Sequence, residues 1–208
     1  MKNNDKKTTE EMLKGIKEGT IFLNSSDVNA SYILGSEKDT LLHMASRNLD
    51  AELIKLLVKM NAKLDLENDS KFTPLFSALN AVKPEKGPEQ NKIQYAKQEE
   101  AVRTLLDLNA NPNALDKNEE NTLWPAVDSG NQKVVELLVE AKADLSHKDD
   151  PAEGDTIVSF VQKFKKYNAP QYEEVMTYLG QFAAPEPNNS SESHVTGEVE
   201  VITNIDHN

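Results

Sequence analysis

A repeat with a period of 33 residues is the feature that most constrains how this chain can fold. Leu75 follows Leu42 by 33 positions, and Ala143 follows Ala110 by the same interval. From Leu75 to the equivalent Leu123 the interval grows to 48, which corresponds to one period plus a single insertion of 15 residues. A repeat of this length indicates an array of stacked supersecondary units, because one such unit cannot bury its apolar face alone.

Each unit predicts two helices joined by a turn. Thr40 and Thr73 precede short apolar runs, where a threonine hydroxyl can cap the start of a helix, and Pro74 is tolerated in a first turn. Leucine pairs such as Leu105 and Leu106 have the spacing of an inward-facing stripe on a second helix. Residues 8–18, 154–166 and 170–181 predict further amphipathic helices in the end units.

These motifs resemble the ankyrin repeat, whose units begin Thr-Pro-Leu-His-x-Ala and end Gly-Ala-Asp-Val-Asn. The matches are residues 73–75, Thr40 with Leu42, His43 and Ala45, the inter-helix turn 129–131, and the unit ending at residues 27–30. The resemblance implies an all-α fold, an ankyrin-repeat solenoid of stacked helix-turn-helix units. It would have about three clear repeats and two degenerate capping repeats.

The domain organisation follows from the period and from changes in composition. The ankyrin-repeat domain is expected to span residues 8–183, with repeats at about 8–36, 37–68, 69–116, 117–150 and 151–183. The insertion falls at residues 82–96, where Pro84, Gly87 and Pro88 favour a loop. Residues 1–7 and the tail 184–208 are expected to be disordered, since the tail is acidic, contains no Lys or Arg, and is rich in Ser, Asn and Pro.

Composition excludes several classes of partner. The net charge of −12 argues against nucleic acid or an anionic membrane as the main partner. No apolar run approaches the roughly 18 residues that a membrane-spanning helix needs, and the N-terminus has no secretory signal pattern. The chain has no Cys, so neither a disulfide framework nor a thiolate zinc site is expected.

No set of residues predicts catalysis, a cofactor or a metal site. His43 lies within the repeat pattern and is expected to hydrogen-bond neighbouring backbone, and no His has a second His or Cys at metal-ligand spacing. The alternating acids that begin at Asp65 resemble the start of a calcium loop. However, Ser70 and Phe76 occupy the positions where such a loop needs Gly and a carboxylate. The expectation is a protein without enzymatic activity.

The resemblance also implies where a partner would bind, because ankyrin partners usually contact the turn tips and the exposed side of the first helices. At the tips this implies Asp69, Ser70, Phe72, Lys117, Asn118 and Glu120, and on the first helices Arg47, Asn48, Asn80, Asp128 and Ser129.

Four residues of the repeats have predicted roles of their own. Phe72 is the best anchor, since an aromatic side chain at a tip can contribute about 2 kcal/mol to binding, although packing onto its own neighbour is the alternative. Trp124 takes the place of His43 and is expected to be buried between repeats, where its indole N–H needs a partner. Lys71 stands where the family prefers Gly, which predicts a wider or strained turn. Pro125 lies inside a first helix and predicts a bend or restart.

The expected function is a monomeric, cytoplasmic, non-catalytic scaffold that binds another protein. Two roles remain open. One is a bacterial effector that is secreted into a host cell without a Sec signal peptide, with the acidic tail as its export signal. The other is an antitoxin- or immunity-type inhibitor of a basic toxin or enzyme, which an acidic binder would suit. An enzyme and a homo-oligomer built through the insertion are the alternatives from other classes.

Overall fold

The computed structural model of this chain is mostly helical. It describes residues 11–24, 27–34, 37–83, 88–149, 154–164 and 172–183, so the termini 1–7 and 184–208, predicted to be disordered, lie outside the described residues. The helices are α1 (residues 11–17), α2 (Leu41–Arg47), α3 (Ala51–Lys59), α4 (Pro74–Leu79), α5 (Pro88–Asp107), α6 (Leu123–Asp128), α7 (Gln132–Glu140), α8 (Ile157–Phe164) and α9 (Glu173–Gly180). The predicted all-α class is confirmed at this level.

The structure also contains a short antiparallel strand pair, which the predicted all-α class does not include. Strands β1 (Ser31–Leu34) and β2 (Glu37–Thr40) pair with Ser31 opposite Thr40 and Leu34 opposite Glu37. The pair leads directly into α2, where it satisfies backbone N–H and C=O groups of the connection that precedes the first helix.

The helices pack as consecutive pairs. Helix α2 contacts α3, α4 contacts α5, α6 contacts α7, and α8 contacts α9. Across pairs, α2 packs on α4 and α4 on α6, whereas α3 packs on α5, α5 on α7 and α7 on α9. The first helices therefore form one layer and the second helices another. The predicted end helices are present with shorter bounds, and Leu13 and Ile16 of α1 join the same apolar core.

Residues that are equivalent in the sequence repeat occupy equivalent environments. The first-helix leucines and alanines and the second-helix leucines are all fully buried, namely Leu42, Leu75 and Leu123, then Ala45, Ala78 and Ala126, then Leu57, Leu105 and Leu138. The small alanines let adjacent first helices approach closely, while the leucines fill the space between the layers.

The backbone repeats with the same intervals. Asn61, Asn109 and Lys142, which follow successive second helices, have φ values of 68°, 71° and 69°. At the turn tips, Lys71 and Glu119 have φ values of 58° and 65°. The left-handed region is unfavourable for a residue with a Cβ, so the strain predicted for Lys71 is present.

Side-chain caps start the first helices of two units. The Thr40 hydroxyl accepts from the His43 backbone N–H at 3.4 Å, and His43 Nδ1 accepts from the Thr40 N–H at 3.2 Å. Thr73 caps α4 through the Phe76 N–H in the same way. Helix α6 runs through Pro125 without interruption, so the helix does not restart there. Pro125 is the third residue of that helix, within the first turn, where N–H groups have no intrahelical acceptor.

A loop was predicted for residues 82–96, but residues 88–96 are helical, and residues 84–87 lie outside the described residues. Helix α5 starts at Pro88 and runs for 20 residues, so the inserted residues lengthen the second helix of their unit at its N-terminal end. Proline is favourable as a first helical residue, and the Glu, Gln, Lys and Ala that follow it are good helix formers. The side chain of Gln98 is fully buried and donates to the carbonyls of Ala78 and Leu79, which ties the long helix to the end of α4.

Candidate functional site

A groove of about 440 Å³ lies beside the turn tips and the first helices of the second to fourth helix pairs. Its walls come from two tips, from α4, α6 and α8, and from the start of α9. The lining residues are Phe72, Phe76, Asn80, Lys83, Asp116, Asn118, Glu120, Trp124, Pro125, Val127, Asp128, Phe160, Val161, Tyr172 and Met176.

Aromatic side chains form the apolar part of the groove. The rings of Phe72 and Phe76 are stacked with centroids 5.3 Å apart and planes 4° apart. Trp124 meets Phe160 edge to face, with centroids 4.9 Å apart and planes at 70°. Phe76 is buried, whereas Phe72, Trp124 and Phe160 are only half-buried. Phe72 therefore both packs onto its neighbour and exposes ring surface to the groove.

Carboxylates line the same groove. Asp116 is buried and shapes the tip, because its Oδ1 accepts from the backbone N–H groups of Asn118 (2.7 Å) and Glu120 (3.0 Å). Burial, followed by the negative charges of Asp116, Asp149 and Asp128, raises the pKa of the Glu120 carboxyl above its usual range. The Lys83 ammonium pairs with Asp128, and both side chains are about half exposed. Among the described lining residues, three are acidic and Lys83 is the basic one.

The indole N–H of Trp124 is buried without a hydrogen-bond partner among the described residues. The predicted partner for this group is thus absent from them. An unsatisfied buried donor costs about 1–3 kcal/mol. Trp124 is half-buried rather than buried as expected, and it packs against the apolar core while it lines the groove.

Five of the eleven predicted contact residues come together in the groove, namely Phe72, Asn80, Asn118, Glu120 and Asp128. The other six lie outside its lining. Asn48, which follows α2, is exposed. Asp69 is also exposed, and its carboxylate pairs with the Lys38 ammonium at 3.5 Å.

The remaining four residues also make contacts within the fold. Arg47 pairs with the buried carboxylate of Asp39 at 2.7 Å. Ser70 is buried, and its carbonyl accepts from the backbone N–H of Lys117, which joins neighbouring tips. Ser129 is fully buried rather than exposed as expected, because its hydroxyl donates to the Ala126 carbonyl at the end of α6.

The main groove residues that the sequence reasoning missed are aromatic. Phe76 and Trp124 occupy the repeat position that His43 holds in the first clear unit, and this substitution of His by aromatic residues is a sequence signal for the groove. Phe160 and Tyr172 lie in the degenerate last unit, where no motif marks their position.

Within the part of the chain that the structure describes, no three His, Cys, Asp or Glu side chains are grouped to hold a metal ion. None of the helices described there is long and apolar enough to cross a bilayer.

No protein-family model matches this chain, and no curated protein is significantly similar to it.

Proposed function

We propose that this chain is a non-catalytic, ankyrin-type repeat protein that binds a partner protein through the aromatic groove, as a monomer in the cytoplasm. The observation that carries the proposal is the set of half-buried aromatic rings, Phe72, Trp124 and Phe160, gathered on one face from three successive helix pairs. Exposed aromatic surface of this kind is costly in water and is typical of the centre of protein interfaces.

The ankyrin assignment is supported by agreement between the sequence repeat and the backbone. The sequence repeats with intervals of 33 and 48, and the left-handed residues Asn61, Asn109 and Lys142 recur with the same two intervals. Two layers of helices, one of first helices and one of second helices, fit the stacked helix-turn-helix units that the resemblance implies.

Two roles remain within this function. The chain would act as a bacterial effector inside a host cell, or as an antitoxin- or immunity-type inhibitor of a basic toxin or enzyme. The carboxylates of Asp116, Glu120 and Asp128 around the groove favour the second role, because complementary charge accelerates and orders association with a basic protein.

The test is affinity capture with matched variants of the full chain. The groove variant carries Phe72→Ala and Asp128→Arg, and the control variant carries Glu140→Arg on the exposed surface of α7. Circular dichroism and thermal melts first establish that all three proteins are folded. We expect a partner that is retained by the wild type and by the control and lost by the groove variant. Equal capture by the groove variant would place binding elsewhere and overturn the proposal.

A further inference from the structure

The groove combines aromatic rings with three carboxylates and, among the described lining residues, one basic side chain, Lys83. Asp116 uses its carboxylate to hold the tip, so two acids remain available, Glu120 and Asp128. No hydrogen bond or ion pair to the Glu120 carboxylate occurs within the described residues, and the charges that act on it come from other acids. The groove therefore has a local deficit of positive charge that its own residues do not fill.

The ion pair in the groove is exchangeable. Lys83 and Asp128 are both about half exposed, and such pairs are worth about 0–1 kcal/mol. An incoming cation that contacts Asp128 therefore loses little by displacing Lys83, whose ammonium can return to water. The same cation, placed near Glu120, would relieve repulsion between neighbouring carboxylates.

We propose that the groove receives an arginine side chain from a basic segment of the partner protein. This inference rests on the proposed function. Its guanidinium stacks on the aromatic surface around Trp124 and Phe72 and donates to the carboxylates of Glu120 and Asp128. This arrangement deepens the proposed function by naming the residue type that the partner must supply.

Arginine fits this surface better than lysine for three physical reasons. The guanidinium is planar, so it lies flat on an aromatic ring, and a cation over a ring within about 6 Å of its centre is attracted by the ring quadrupole. It carries five N–H donors, which can reach two carboxylates at once. It is also more weakly hydrated than an ammonium, so that moving it into a partly buried groove costs less.

The chain contains a built-in reporter for this site, because Trp124 is its single tryptophan and lines the groove. The experiment titrates the full chain with tetra-arginine amide and follows Trp124 fluorescence and the indole N–H resonance. Tetra-lysine amide and tetra-citrulline amide, the latter having the shape of arginine without its charge, are titrated in parallel. We expect the arginine peptide to shift both signals, the lysine peptide to bind at least about threefold more weakly, and the citrulline peptide to cause no shift.

Matched variants separate the site from general attraction to an acidic protein. Glu120→Gln and Asp128→Asn each remove one groove charge, and Glu140→Gln removes one charge from the exposed surface of α7. We expect each groove variant to weaken the arginine peptide about tenfold and the control to leave its affinity unchanged. Equal weakening by all three variants, equal binding of lysine, or a shift with citrulline would overturn the arginine assignment.

Failure of this inference is distinguishable from failure of the proposed function. If the groove variant loses the captured partner but arginine peptides leave Trp124 unaffected, the groove binds a protein by other chemistry and only the inference is wrong. If the captured partner is indifferent to the groove variant, the proposed binding surface itself is wrong.

Discussion

Replacement of Arg47 by alanine is expected to destabilise the fold, although Arg47 is 43% exposed and was predicted to contact a partner. Its guanidinium Nη1 lies 2.7 Å from Oδ2 of Asp39, a fully buried carboxylate. The other oxygen, Oδ1, accepts from the side-chain amide of Asn68 at 2.9 Å. Removing the guanidinium leaves a buried negative charge with one hydrogen bond and no counter-charge.

The size of this effect follows from the burial of the two partners. Breaking a fully buried ion pair by removing one partner costs about 3–5 kcal/mol. Because Arg47 is exposed at its outer edge, water can replace part of the lost interaction, so about 2 kcal/mol is expected. For a chain of this size that corresponds to a fall of about 4–8 °C in the melting temperature.

Urea unfolding followed by circular dichroism measures this loss, and Arg103→Ala provides the control. Arg103 has a similar exposure and pairs with Glu99 on the surface of one helix, so its replacement should change the free energy of unfolding by less than about 0.5 kcal/mol. Adding Asp39→Asn to Arg47→Ala should recover part of the loss, because a neutral amide needs no counter-charge. Equal losses for the two arginine variants would refute a structural role for Arg47.

Three further predictions concern the stability of the repeats. Burial lowers the pKa of His43 below its ordinary value of 6.5, so the stability contributed by its neutral ring is present above that pH and lost as the pH falls below it. His43→Gln should flatten the dependence of the urea midpoint on pH between about 7 and 5. Lys71→Gly should stabilise the fold by about 0.5–1 kcal/mol because it removes left-handed strain, whereas Lys63→Gly, without positive φ, should not. Leu105→Ala should cost about 2–5 kcal/mol in unfolding free energy, whereas Ile93→Ala, at a side chain that is 71% exposed, should cost less than about 0.5 kcal/mol.

The stacking of the units could be predicted from the sequence because the period places like residues in like environments. Leu75 and Leu123 could be identified as core positions from their spacing alone, and both are fully buried. The inserted residues could not be assigned in this way. Pro88 is compatible both with a loop and with the first residue of a helix, and the buried contacts of Gln98 with α4 become visible only after folding.

The groove could be predicted in part, for a different physical reason. Tip residues such as Phe72 and Glu120 are set by local position within one repeat, so the ankyrin resemblance locates them. Phe160 and Tyr172 belong to the degenerate last unit, and their approach to Trp124 depends on how that unit stacks. Sequence spacing carries no information about contacts of that kind, because the motif that would set the register is missing there.

A single repeat position agrees with the proposed binding function. In the first clear unit His43 accepts from the Thr40 N–H through Nδ1 and donates through Nε2 to the Phe72 carbonyl at 2.8 Å, which ties two units together. Phe76 and Trp124 take the same position in the next two units and cannot make this pair of hydrogen bonds. They contribute ring surface instead, and Trp124 does so with an unsatisfied indole N–H. Two units thus lack a stabilising polar contact beside the groove. This loss of stability is expected at a position whose residue type is determined by binding rather than by stability.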